Sequence, residues 1–133
     1  MPDQSSLKKV MIIDDDSFLL EMYSKKFSKA GYDVKIVNST DLALKVLRDG
    51  YAPDIMLVDI VMPGMDGLEL VSKIKTANLA PTATVIMLTN QSSSGDVSRA
   101  QKIKVDGYII KATSIPSDVL TQMEQIYSSK VNK

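Results

Sequence analysis

The chain has no cysteine, no histidine and no tryptophan among its 133 residues, and its charges cancel, with 16 Lys+Arg against 16 Asp+Glu. Each absence removes a class of function. Without cysteine there is no disulfide, no thiolate metal site and no thiol nucleophile, a composition that fits a reducing compartment. Without histidine the chain lacks the commonest general base, the commonest zinc ligand and any histidine phosphodonor of its own. A net charge of zero argues against a nucleic-acid-binding module, whose footprint is a basic domain or patch. No apolar run exceeds five residues, far short of the roughly 18 that a membrane-spanning helix needs. The opening residues, Met-Pro-Asp-Gln-Ser-Ser-Leu-Lys-Lys, hold no apolar stretch of the signal-peptide kind. The expectation is a single cytoplasmic domain over residues 1–133, long enough to bury about two thirds of its unfolded surface. Its chemistry is left to Asp, Glu, Lys, Ser, Thr and Tyr.

What is present is an alternation. Short apolar runs fall at Val10-Met11-Ile12-Ile13, Val34-Lys35-Ile36-Val37, Ile55-Met56-Leu57-Val58, Val85-Ile86-Met87-Leu88 and Tyr108-Ile109-Ile110. Helical spacing links Leu19, Met22, Tyr23 and Phe27, then Leu42, Val46 and Leu47, then Leu68, Val71 and Ile74. It returns in Val97, Ala100 and Ile103, and in Val119, Met123, Ile126 and Tyr127. Ala30-Gly31, Asp49-Gly50 and Asp106-Gly107 mark helix stops; Ser39-Thr40-Asp41 and Pro116-Ser117-Asp118 mark starts. Strand and helix alternating five times is the pattern of βαβ units on a parallel sheet. The first, third and fourth runs are continuously apolar and belong in the centre, whereas Lys35 interrupts the second and the fifth is short. With right-handed crossovers, the order 2-1-3-4-5 satisfies this. The core is expected over about residues 8–127, with Ser128 to Lys133 as a frayed tail.

That order switches direction between strands 1 and 3, so ligand chemistry is expected outside their carboxyl ends. Asp14, Asp15 and Asp16 follow the first run, Asp59 the third, Thr89 the fourth and Lys111 the fifth. Helix capping accounts for Asp16 or Ser17. It does not call for three adjacent carboxylates. Asp14, Asp15 and Asp59 together form a negative cluster whose members oppose one another's ionisation unless a cation joins them. Oxygen-only ligands select a hard divalent cation such as Mg²⁺. Singly, Thr89 reads as a strand-end threonine and Lys111 as a solvated charge. Facing a cation-bound carboxylate, the pair suits a phosphoryl group attacked in line by Asp.

The stretches Ile12-Ile13-Asp14-Asp15-Asp16, Val58-Asp59-Ile60-Val61-Met62-Pro63-Gly64-Met65-Asp66-Gly67, Leu88-Thr89 and Gly107-Tyr108-Ile109-Ile110-Lys111 resemble the receiver domain of two-component response regulators, in that family's order and spacing from about Lys8 to Tyr127. The resemblance implies a flavodoxin-like (βα)5 sandwich. It also implies Asp59 as phosphoacceptor, with Asp15, Asp59 and the Val61 carbonyl holding Mg²⁺ and Asp14 acting mainly through water. Thr89 would bind a phosphoryl oxygen, Lys111 would pair with the phosphate, and Tyr108 would be the switch aromatic. The partners implied are a histidine kinase or histidine phosphotransfer protein upstream and a protein target downstream, with no direct nucleic acid and no membrane insertion. The output face would be the fourth helix, fifth strand and fifth helix, fed by a mobile loop from Asn90 to Asp96. Two features depart from the family. Ala112 stands where Pro usually follows the lysine, often through a cis peptide, and Asn90 stands where a smaller residue is commoner. Val61 and Gln91 occupy positions that in receivers tune autodephosphorylation, and an apolar Val61 cannot orient a water, so slow to moderate loss of phosphate is expected.

Three other functions use similar parts. A Mg²⁺-dependent aspartyl-phosphate phosphohydrolase typically has a second acid two residues after its nucleophile, where this chain has Val61. A flavodoxin-like FMN carrier would place a phosphate where the loop after the first strand is acidic. A pseudo-receiver would bind partners without phosphorylation, although all five chemical positions are intact. The leading expectation is a phosphoacceptor that turns over no external substrate.

Overall fold

The computed structural model of the chain describes residues 7–89, 94–110 and 115–131. Strand and helix alternate five times within them. The first half comprises β1 (Lys9–Ile13), α1 (Ser17–Lys29), β2 (Asp33–Val37), α2 (Thr40–Arg48), β3 (Ile55–Asp59) and α3 (Gly67–Thr76). The second comprises β4 (Thr84–Thr89), α4 (Ser94–Lys102), β5 (Gly107–Ile110) and α5 (Pro116–Val131). All strand pairs are parallel, in the order β2-β1-β3-β4-β5. Every residue of β3 and β4 is buried, as the continuous apolar runs require, while β2 is largely exposed.

The pleat sorts the core into two layers. Met11, Ile13, Met56, Val58, Val85 and Met87 face α2, α3 and α4, where Leu47, Val71, Ile74 and Ala100 meet them. Val10, Ile12, Ile55, Leu57, Ile86 and Leu88 face α1 and α5, against Tyr23, Phe27, Val119 and Met123. Ile13 is in register with both Val37 and Val58, Asp59 with Leu88, and Thr89 with Ile110. The carboxyl ends therefore lie on one edge, each stepped by no more than one residue from its neighbour.

Four local expectations are corrected. In α2 the inward stripe is Thr40, Ala43, Leu44 and Leu47, and Leu42 is 42 % exposed. Ser39 caps this helix, its Oγ accepting from Leu42 N at 3.2 Å, and that start turns Leu42 outward. On α1, Met22 is likewise exposed, leaving Leu20, Tyr23 and Phe27 to fill the core. The third correction is that α4 begins at Ser94 and stops at Lys102, not at Asp106-Gly107. The stop is made by Lys104, in the left-handed region at φ 59°. Asp106 instead joins strands: its Oδ2 accepts from Val85 N at 2.8 Å and its N–H donates to Val85 O at 2.7 Å. Finally, residues 128–131 are helical, because Lys130 Nζ donates to Ala83 O at 3.0 Å and to Asp106 Oδ2 at 3.1 Å.

Lys104 carries a side chain where glycine is the unstrained residue. Lys104→Gly is expected to raise stability by about 0.5 kcal/mol, relief of strain outweighing the added freedom of the unfolded chain. A rise in the urea midpoint at unchanged slope would show it.

Three tyrosines couple the fold to alkaline pH. Burial pushes the Tyr23 and Tyr51 hydroxyls up to about 12. Tyr32 is pushed up further by burial and by its hydrogen bond to Glu124 at 2.7 Å, which ties the turn after α1 to α5. Above pH 10 the unfolded chain releases these protons while the native state keeps them. The native state then binds more protons, so stability falls as pH rises from the unfolded value of about 10 toward the folded values. Urea midpoints measured between pH 9 and pH 12 should fall progressively, and less steeply in Tyr32→Phe.

Candidate functional site

Asp14 is the first residue beyond β1 and Asp59 the last of β3, and the pairing of Ile13 with Val58 sets them side by side. The three aspartates after β1 divide their work. Asp16 is the N-cap of α1, its Oδ1 accepting from Leu19 N at 3.1 Å. Asp14 is fully buried; its N–H donates to Val37 O at 3.2 Å and its Oδ1 accepts from Asp16 N at 3.0 Å. These bonds fix the Asp14 carboxylate in place. Asp15 lies exposed at the rim. One carboxylate oxygen from each of Asp14, Asp15 and Asp59 comes within 4.8 Å of the others, with Asp59 only 4 % exposed.

The charge of this cluster reaches into the core. Tyr23, in the α1/α5 layer, has its hydroxyl held protonated chiefly by burial, then by the nearby carboxylates of Asp14, Asp59 and Asp16. Two buried carboxylates and a third at the rim, all oxygen donors, match the ligand chemistry of a hard divalent cation and fit Mg²⁺.

Thr89 ends β4 on the same edge and is buried. By strand alternation it shares a sheet face with Met87 and with Tyr108, the residue paired to Met87. Tyr108 is half-buried and packs against the layer of α2, α3 and α4. Thr89 and Tyr108 therefore stand on one face, one strand apart. Lys111 is the residue after β5, and it lies outside the described residues, as do Asn90, Gln91, Ala112 and the Lys111–Ala112 peptide. Val61, two residues beyond Asp59, is 74 % exposed.

The segment from Ile60 to Asp66 is closed at its two ends. Gly67 N donates to Ile60 O at 2.7 Å, and a Cβ built on Gly67 would overlap the Asp59 carbonyl. Asp66 caps α3 through Glu69 N at 2.8 Å and also pairs with Arg99 of α4. From sequence alone Asp66 and Gly67 belong to the motif after β3 with no task of their own, and Tyr23 is only a core position. The Asp-Gly pair before a helical spacing was the available signal for the first two. A tyrosine among core positions offered none for the third.

The family model of the response regulator receiver domain matches residues 10–123. The chain belongs to that family. It is 29 % identical over 119 residues to the phosphate regulon transcriptional regulatory protein PhoB of Pseudomonas aeruginosa, a match covering 90 % of this chain and 51 % of that protein. It is 28 % identical over 104 residues to the DNA-binding response regulator MtrA of Mycobacterium tuberculosis, covering 78 % and 44 %. The chain thus spans about half the length of the curated relatives it matches. A CheY-like response regulator receiver domain protein from Methanospirillum hungatei superposes with a TM-score of 0.85 at 27 % identity, over 96 % of this chain and 98 % of that one. The chemotaxis protein CheY4 of Vibrio cholerae shares the fold, with a TM-score of 0.83 at 23 % identity over 91 % of this chain and 99 % of that one. In this receiver no described helix is long and apolar enough to cross a membrane. Its acidic edge is the one its topology designates for ligands.

Proposed function

We propose that this receiver accepts a phosphoryl group on Asp59 and converts it into a change of the face formed by α4, β5 and α5. The observation that carries the proposal is the convergence of Asp14, Asp15 and Asp59 within 4.8 Å, two of them buried, at the switch point of the sheet. The donor is a phosphohistidine on a partner, a histidine kinase or histidine phosphotransfer protein; this chain has no histidine of its own. An Asp59 oxygen forms the bond to phosphorus as the phosphorus–nitrogen bond breaks, and the imidazole leaves with that electron pair.

Asp15, Asp59 and the Val61 carbonyl would hold Mg²⁺, and Asp14 would act through water. Bound there, Mg²⁺ supplies neutralisation of the charge that develops on the phosphoryl oxygens. Asp14, fixed by Asp16 N–H, keeps its carboxylate aimed at the cluster. Thr89 takes a phosphoryl oxygen and Lys111 pairs with the phosphate. Movement of Thr89 toward that group vacates space on the face it shares with Tyr108, and Tyr108 turns inward to fill it. The product is a signalling state for a downstream protein in the cytoplasm, and no external substrate is turned over. The chain works as one domain.

Incubation with acetyl phosphate and Mg²⁺, followed by intact mass, tests this. The expected result is a gain of one phosphoryl group that EDTA prevents; no gain would overturn the proposal. Turnover of p-nitrophenyl phosphate would point instead to a phosphohydrolase, for which exposed Val61 supplies no second acid.

A further inference from the structure

The side chain of Asp66 serves two helices at once. Its Oδ1 accepts from Glu69 N at 2.8 Å as the cap of α3. Arg99 of α4 reaches it as well, Nη2 lying 3.1 Å from Oδ1 and 2.8 Å from Oδ2. Asp66 in turn ends a segment that starts at the backbone of Asp59, closed by the bond from Gly67 N to Ile60 O and by the packing of Gly67 on the Asp59 carbonyl. The arginine pair is thus a mechanical link from α4 to the loop beside the carboxylate cluster. It matters for α4 because, of the α4 side chains described, Ala100 alone is buried. A helix with so little buried surface among its described side chains depends on polar ties for its position.

We propose that Arg99 is a positioning residue for the carboxylate site. Through Asp66 it holds residues 60–66, the stretch that carries Val61, in the arrangement that takes Mg²⁺. By reciprocity Mg²⁺ binding steadies α4. This rests on the assignment of Asp14, Asp15 and Asp59 as the Mg²⁺ site. The alternative, a purely through-space effect, has the opposite sign. A guanidinium near the site repels a divalent cation, so removing its charge would tighten Mg²⁺ binding, whereas loss of positioning weakens it.

The test is a MgCl2 titration of the whole chain at constant ionic strength, followed by amide NMR shifts. For Arg99→Gln the dissociation constant for Mg²⁺ is expected to rise about two- to fivefold, the scale of an exposed ion pair. Amides of residues 97–102 should respond to Mg²⁺ in the wild type and lose that response in Arg99→Gln. Asp66→Asn keeps a capping oxygen and loses the pair, so adding Arg99→Gln to it should weaken binding no further. Arg99→Lys should recover part of the affinity. An unchanged or lower dissociation constant in Arg99→Gln, with the α4 response intact, would overturn this proposal alone. A wild type that binds no Mg²⁺ would overturn the metal site and this proposal together.

Discussion

Asp59→Asn is expected to take up no phosphoryl group from acetyl phosphate while keeping the wild-type circular dichroism spectrum. Asparagine has nearly the volume and shape of aspartate, so a side chain that is 4 % exposed at the end of a fully buried strand can be exchanged without repacking. What changes is chemistry. The amide is not a nucleophile toward phosphorus, and the remaining carboxylates cannot take over. Asp14 is held by Asp16 N–H, and Asp15 is at the exposed rim. The loss should therefore be complete. The same substitution removes one of three charges that lie within 4.8 Å, so Mg²⁺ should stabilise the variant far less. In the wild type, Mg²⁺ at a hundred times its dissociation constant should add about 2.7 kcal/mol to unfolding by mass action. Urea unfolding with and without Mg²⁺ measures that difference, and intact mass measures the first. A mass gain that survives Asp59→Asn would remove Asp59 from its role.

The sheet was legible because its physics is short-range and repetitive. Continuous apolar runs at 10–13, 55–58 and 85–88 read as central strands and Lys35 marks an edge, and the order β2-β1-β3-β4-β5 satisfies both with right-handed crossovers. The acidic site was legible for the same reason, since Asp14 and Asp59 are single steps beyond those runs. Helix rotation was less so. On α2 the expected stripe passed over Ala43, whose small side chain carries little weight in a hydrophobic pattern, and it turned Leu42 inward. The end of α5 was misjudged because Lys130 reads as solvated until Ala83 and Asp106 are known to be near. Contacts between residues distant in sequence, such as Arg99 with Asp66 and Tyr32 with Glu124, leave no periodic trace. They are the part of the molecule that only the fold discloses.

Gly67→Ala is expected to cost at least about 2 kcal/mol of stability and to weaken Mg²⁺ binding at the same time. The usual reason for glycine, a positive φ, does not apply, because Gly67 opens α3 in ordinary helical backbone. Space is the reason. A Cβ there would overlap the Asp59 carbonyl oxygen and lie 2.8 Å from its carbonyl carbon and 3.1 Å from the Ile60 Cα. All three atoms are backbone, so no side chain can swing aside. Either the start of α3 or the end of β3 must move. Forcing a methyl into a filled interior costs about 1–3 kcal/mol when the neighbours can relax. Here relaxation would break the 2.7 Å bond from Gly67 N to Ile60 O and disturb the cap at Asp66. It would also shift Asp59 itself, whose carbonyl is the obstacle. Stability and metal affinity are therefore coupled in this variant, and the urea midpoint and the Mg²⁺ dissociation constant should worsen together. Ala77, the C-cap at the far end of the same helix, is the control: it is exposed, and Ala77→Gly should change stability slightly and Mg²⁺ binding not at all. If Gly67→Ala lost stability but bound Mg²⁺ like the wild type, the close packing of α3 on Asp59 would be a matter of folding alone.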